Sequence, residues 1–408
     1  MGVALRLTTM AACAAAVSAS SAWNASHWEL VLLTEAAKTG AVCLDGSPGG
    51  YQIRPGKPGN DRWVVFHQGG GWCNSDESCA ARANTALGSS NHPNQYSWGQ
   101  SYSDPYEGSQ LFVTPPFDTA TLVYALYCDG GSWAGDAVAP VMAKPNASAP
   151  AQKVFYRGRP LLDALYENLL DAGLSSASEL LFAGCSAGAL TVYIHADYIA
   201  SKMPKTVKTV AFADAMFSID TPDWQGSLAA PERFAWIFRG MNCSASVDQD
   251  CLKANPNGTA CMFGANTAPF VKTPLFVLNS KYDTWQAGGI IGAGTCGEKI
   301  TSCPAAIQTF WKAYGMMMVD KLKSLPSQHG GFLSNCQAHC QSGSGAWHDS
   351  TIDGTSMGAA FSGWYNATMA RLDGRGVASE LHAGNSSAAT HRYYEACDSV
   401  TRCGTDKC

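Results

Sequence analysis

The chain has 408 residues, 46% of them hydrophobic and only 14% charged, with a formal net charge of -5. That is ample apolar material for a sizeable core, in one large α/β domain or two smaller ones. A weakly acidic balance without a basic block excludes the electrostatic footprint of a nucleic-acid binder.

Residues 1–22 read as a secretion signal, with Arg6 as the positive start, Leu7 to Val17 as the apolar stretch and Ser18 to Ala22 as the small residues of a cleavage site. The stretch is too short to span a bilayer, and no later segment supplies the ~20 uninterrupted apolar residues of a membrane helix. The mature chain is therefore expected outside the cell or in a cell wall, soluble and monomeric, with no integral membrane segment. Sixteen cysteines in that setting predict a disulfide framework. Cys13 leaves with the signal, and if Cys185 stays a buried thiol, the fourteen others suffice for seven bridges. Cys73 with Cys79 and Cys296 with Cys303 are spaced for local pairing. Six N-x-S/T sequons, at Asn24, Asn146, Asn242, Asn257, Asn366 and Asn385, fit glycosylated surface loops.

No repeat, charge block or long linker divides residues 23–408, which are read as a single domain. The first buried strand expected is Trp63 to His67, and it runs into Gly69-Gly70-Gly71-Trp72. Backbone N–H groups reach a developing oxyanion only where side chains do not block them, so Gly71 and Trp72 are candidate donors. Asn74 to Gln110 is polar and aperiodic, a stapled loop expected to lie over the core as a lid or cap. A second strand spans Thr121 to Tyr127. A helix follows Pro160, its apolar positions Leu161, Leu162, Leu165 and Leu169, with Gly173 as its stop.

Leu180 to Ala183 is the next strand, and it leads through Gly184-Cys185-Ser186-Ala187-Gly188 into a helix from about Ala187 to Ala200. Strand, G-x-S-x-G and helix in that order are the setting of a nucleophile elbow, which marks an α/β-hydrolase fold with a mostly parallel sheet flanked by helices. The turn strains the serine backbone, so positions two before and two after must be glycine or very small. Ser186 is then the candidate nucleophile and the Ala187 amide a further oxyanion donor. The plain alternative is a strand-to-helix turn of small residues, and what weighs against it is the flanking strand and helix.

Val207 to Ala213 is a strand followed by Asp214, Gly240 to Asn266 is a second stapled loop, and Leu275 to Leu278 is a strand with Asp283 just past its end. A hydroxyl needs a base, and the base needs a carboxylate to fix its tautomer, in the chain order Ser, acid, His. Asp283 and Asp214 both qualify as the acid, since each sits where ligand-facing residues of such sheets project; either could instead cap a turn. For the base, His339 lies between Cys336 and Cys340, which could clamp its loop by bridging elsewhere; His329 and His348 are runners-up. Cys336, His339 and Cys340 are also ordinary zinc ligands, but oxidising conditions consume thiols and no second C-x-x-C pair is present, so no metal or other cofactor is expected.

Six segments carry a resemblance: Lys38-Thr39-Gly40-Ala41-Val42-Cys43-Leu44-Asp45-Gly46-Ser47-Pro48, Gly69-Gly70-Gly71-Trp72-Cys73, Tyr127-Cys128-Asp129-Gly130, Gly184-Cys185-Ser186-Ala187-Gly188, Tyr282-Asp283-Thr284-Trp285-Gln286 and His339-Cys340-Gln341. In this order they span nearly the whole mature chain, which resembles the pectin acetylesterase and Notum family. The resemblance implies Ser186, Asp283 and His339 as the triad and Gly71, Trp72 and Ala187 as the oxyanion donors; the choice of Asp283 over Asp214 rests partly on it. Cys73 after Trp72 and Cys185 before the serine are more like the pectin acetylesterase branch, whereas Ala189 departs from the third glycine usual in plant members. The implied activity is a serine carboxylesterase acting on acetyl esters of a cell-wall polysaccharide, with a Notum-like deacylase of a lipidated protein or a non-enzymatic glycan-binding protein as the alternatives. Trp72, Trp133 and Trp285 are candidate flat faces for sugar rings.

Overall fold

The computed structural model describes residues 28–92, 108–375 and 391–395. The expected signal at 1–22, the sequons at Asn24 and Asn385, and Cys397, Cys403 and Cys408 lie outside the described residues.

A nine-stranded sheet organises the chain. Its strands are β1 (Glu29–Leu32), β2 (Gly50–Arg54), β3 (Arg62–His67), β4 (Thr121–Ala125), β5 (Glu179–Cys185), β6 (Lys208–Asp214), β7 (Leu275–Ser280), β8 (Gly330–Ser334) and β9 (Arg392–Tyr394). Their order across the sheet is β1-β2-β4-β3-β5-β6-β7-β8-β9. β1 and β2 pair antiparallel, as do β2 and β4, and every pair from β4 through β3 to β9 is parallel. The five strands expected from apolar runs are β3 to β7, and each sits in this parallel region.

The central strands are buried along their whole length, β5, β7 and β8 without an exposed position. A strand covered on both faces has no need to alternate, which is why these read as short continuous apolar runs. Helices Gly158–Asp171, Ala187–Lys202, Ala305–Lys323 and Met357–Leu372 connect or flank them. The first two match the sequence expectation, with Pro160 in the first turn and Gly173 just beyond the end at φ +120°. Ala305–Lys323 is absent from that expectation, although Ile307, Trp311, Tyr314, Met318 and Leu322 are buried at helical spacing.

β8 is harder to foresee, because it reads Gly-Gly-Phe-Leu-Ser. Its glycines are a packing requirement: a Cβ at Gly330 meets the Trp364 ring at 2.5 Å, and one at Gly331 meets Leu322 Cδ1 at 2.5 Å. Helices on either side press closer to this strand than a side chain allows.

The bridges include both local pairs, Cys73–Cys79 and Cys296–Cys303, together with Cys43–Cys128 and Cys251–Cys261. The expectation for Cys185 is corrected: it is not a buried thiol but is bonded to Cys340 across 155 residues. Cys243 is a buried thiol, which burial holds well above the ordinary thiol range. Sequons Asn146, Asn242, Asn257 and Asn366 are all exposed. No described helix is long and apolar enough to cross a membrane.

Candidate active site

β5 ends at Cys185, helix Ala187–Lys202 begins at Ala187, and Ser186 forms the turn between them with φ 57° and ψ -121°. A non-glycine residue there carries about 1–3 kcal/mol of backbone strain, held in place by the packing around it. That packing explains both flanking glycines. A Cβ at Gly184 lies 2.4 Å from the Gly188 carbonyl oxygen, and a Cβ at Gly188 lies 2.0 Å from the His67 carbonyl oxygen at the end of β3. The Ser186 amide donates to the Asp214 carbonyl at 3.0 Å, which pins the turn to the neighbouring strand. His67 itself is buried beneath, and burial pushes its imidazole down to about 4.

Asp283 follows β7 and caps helix Thr284–Gly289, its Oδ1 accepting the Gln286 N–H at 2.9 Å. Its other oxygen lies 2.8 Å from His339 Nδ1. Asp283 is 1% exposed, whereas the His339 side chain keeps 20%, so the carboxylate is enclosed behind a ring that stays partly open to solvent. Asp283 therefore caps the helix with one oxygen and meets the His339 ring with the other.

His339 lies in the loop after β8, and two tethers fix that loop. One is the Cys185–Cys340 disulfide, which joins the residue before Ser186 to the residue after His339 with a Cα–Cα distance of 5.7 Å. An imidazole nitrogen of His339 and both sulfurs lie within 4.8 Å of one another. The other tether is Asp214, whose carboxylate accepts the amides of Gln341 (3.1 Å) and Ser342 (2.7 Å) and the Ser342 hydroxyl (2.6 Å). Burial pushes the Asp214 carboxyl above the ordinary carboxylate range, and these donors pull against that shift. Asp214, one of two acids open from sequence, thus holds the histidine loop while Asp283 holds the ring.

The runner-up histidines are placed elsewhere. His329 is buried, its Nδ1 accepting the Leu275 amide at 3.1 Å and its Nε2 lying 3.0 Å from the Val271 carbonyl oxygen. His348 lies 3.0 Å from Gln110 Oε1. The zinc set Cys336, His339 and Cys340 is also altered, because the Cys340 sulfur is spent on Cys185 and offers no thiolate.

Gly70 and Gly71 adopt φ +136° and +68°, a path that β-carbons disfavour. Arg82 donates to the Gly70 carbonyl at 2.9 Å and Tyr127 to the Gly71 carbonyl at 2.9 Å. With those carbonyls held back, the amides of Gly71, Trp72 and Ala187 have no acceptor among the described residues. One residue missed from sequence ties the two sources of amides together. Ser132, fully buried at φ 57°, accepts the Trp72 indole N–H at 2.7 Å and donates to the Ala187 carbonyl at 2.7 Å. Its only sequence signal is its place just past the Tyr127-Cys128-Asp129-Gly130 segment. Of the three tryptophans, Trp133 is core, stacked on Tyr127 at 4.9 Å, while Trp72 and Trp285 meet edge to face at 5.1 Å and remain partly open.

The family model of pectinacetylesterases matches residues 21–377. Among curated proteins, the chain is 31% identical to pectin acetylesterase 11 of Arabidopsis thaliana, over 82% of this chain and 87% of that one. It is 32% identical to pectin acetylesterase 5 of the same plant, over 83% and 80%. The human palmitoleoyl-protein carboxylesterase Notum is 26% identical, over 80% of this chain and 64% of its own length. A solved structure of the Wnt deacylase Notum from Drosophila superposes with a TM-score of 0.69 at 21% identity, covering 84% of this chain and 94% of that one, which makes the fold that of an α/β-hydrolase. A mostly parallel sheet of that fold, a strained serine at its strand-to-helix turn and a match along most of the chain lead to one conclusion: this chain belongs to the pectinacetylesterase family and is a carboxylic ester hydrolase.

Proposed function

We propose that the chain is a secreted serine esterase that removes acetyl groups from a cell-wall polysaccharide, pectin by kinship, through Ser186, His339 and Asp283. The observation that carries this is the 2.8 Å contact of His339 Nδ1 with Asp283, in a loop bonded covalently beside Ser186. With Asp283 accepting, the proton rests on Nδ1 and Nε2 keeps the lone pair needed to take the Ser186 proton. Serine Oγ then bonds to the acyl carbon, the Gly71, Trp72 and Ala187 amides hold the oxyanion, and His339 returns the proton to the departing sugar oxygen as its bond to the acyl carbon breaks. Water repeats the cycle on the acyl-enzyme and releases acetate. The signal at 1–22, removed to leave residues 23–408 as one catalytic domain, and the bridged cysteines both support an extracellular setting.

Acetate release from acetylated pectin, xylan and mannan by the parent and by Ser186→Ala tests this. The variant should fold and release none; a variant as active as the parent removes the assignment. An octanoyl ester cleaved far better than an acetyl ester transfers the reading to a lipidated-protein substrate, as the names of the Notum relatives suggest.

A further inference from the structure

A cavity of about 240 Å³ lies against the loop of Gly71 and Trp72, with Arg82, Arg233, Phe234 and Trp285 among its walls. The chain as a whole is acidic, 32 Asp and Glu against 27 Lys and Arg, yet this wall holds two guanidiniums and no carboxylate. Among the described residues neither arginine forms an ion pair. Arg82 is occupied by backbone carbonyls, Leu87 at 2.9 Å and Gly70 at 2.9 Å, and by the Tyr127 ring 5.1 Å beneath it. Arg233, exposed on helix Ala229–Gly240, donates one Nη2 bond to the Gly289 carbonyl, and no other acceptor meets its fork among the described residues.

Two like charges at one small cavity repel each other, and the arrangement is stabilised when an anion enters between them. The planar fork of arginine suits a carboxylate, and the partly open Trp72 and Trp285 offer apolar faces against which a sugar ring can lie. Arg233 and Asn74 also line a second cavity, of about 510 Å³, whose walls include Asp223 and Glu232, so of these two the one beside Gly71 and Trp72 is lined by arginine without a carboxylate. We propose that Arg233, with Arg82 behind it, forms a subsite that reads the carboxylate of a uronate unit adjoining the acetylated sugar. This rests on the esterase reading of Ser186 and adds a specificity-determining residue to it.

The test compares kcat/KM on acetylated polygalacturonate, on the same polymer with its carboxyls methyl-esterified, and on acetylated xylan. The parent should prefer the free-carboxyl polymer to its methyl ester by about tenfold, as a charge-assisted hydrogen bond of this kind implies. The preference should shrink in 0.5 M salt, collapse to near unity in Arg233→Gln, and return in part in Arg233→Lys. A purely structural role for Arg233 lowers all three substrates together and leaves the ratio unmoved, which overturns the proposal. So does a parent with no preference, a measurement that needs no variant and survives one that fails to fold. A parent inactive on every acetylated polymer removes the polysaccharide reading and this subsite with it, and that outcome is recognised before any arginine is changed.

Discussion

The turn that carries Ser186 and the loop that carries His339 solve the same problem in opposite ways. Around Ser186 the constraints are local: strand, small residues and helix follow within a few positions, and the close approaches at Gly184 and Gly188 are to the turn itself and to the adjacent strand. Around His339 they are remote, from Asp283 at 56 residues, Asp214 at 127 and 128, and Cys185 at 155. On the proposed mechanism the nucleophile is built into the chain by its neighbours, while the base is brought to it by parts scattered along the sequence.

The comparison breaks most severely if the histidine itself is removed. His339→Ala should lower kcat on a small acetyl ester by about a thousandfold or more, while a folded protein remains. Next comes the local side, where Gly188→Ala forces a methyl against the His67 carbonyl and should cost about 3 kcal/mol or more, read as a fall in denaturant midpoint. On the remote side, replacing Cys185 and Cys340 together by serine should cost about 2–4 kcal/mol, and kcat should fall further than the loss of folded protein explains. Asp214→Asn sharpens the contrast. It keeps the shape but turns one acceptor into a donor facing the Ser342 amide, so kcat should drop about tenfold with KM little changed. A larger rise in KM than fall in kcat would place Asp214 in substrate binding instead.

The smallest effect concerns acid. His329 at the foot of β8 is buried and pushed down to about 4. Its native pKa is below the unfolded value, so its contribution is fully present above about 6.5 and is lost as pH falls towards 4, when the ring must gain a proton and release the Leu275 amide. Asp129 acts with the opposite sign over the same window, because burial pushes its carboxyl up to about 7 and the fold favours its protonated form. The difference between parent and His329→Gln therefore carries the measurement. That difference should shrink by on the order of 1 kcal/mol between pH 7 and pH 5, as the histidine of the unfolded parent gains a proton that the folded ring does not.

The same contrast explains what the sequence discloses. The elbow was legible because its steric demand falls on residues at fixed spacing, and strands β3 to β7 because burial on both faces leaves unbroken apolar runs. His339 and Asp283 emerged from chain order together with family resemblance, since nothing near either residue states that they meet. Ser132 was illegible, its value lying in two contacts 55 and 60 residues away, and β8 was obscured because its packing requires glycine where strand patterns require bulk. Asp214 was visible as a carboxylate at a strand end, but not as the anchor of a loop far downstream.

On the proposed mechanism, the bond between Cys185 and Cys340 ties turnover to compartment. A chain made in a reducing cytosol could show the right size and circular dichroism and still hydrolyse sluggishly, with its imidazole loose. Thiol reductants added to a purification buffer for convenience would then quietly poison the assay, and dialysis against a glutathione redox pair should bring the lost turnover back.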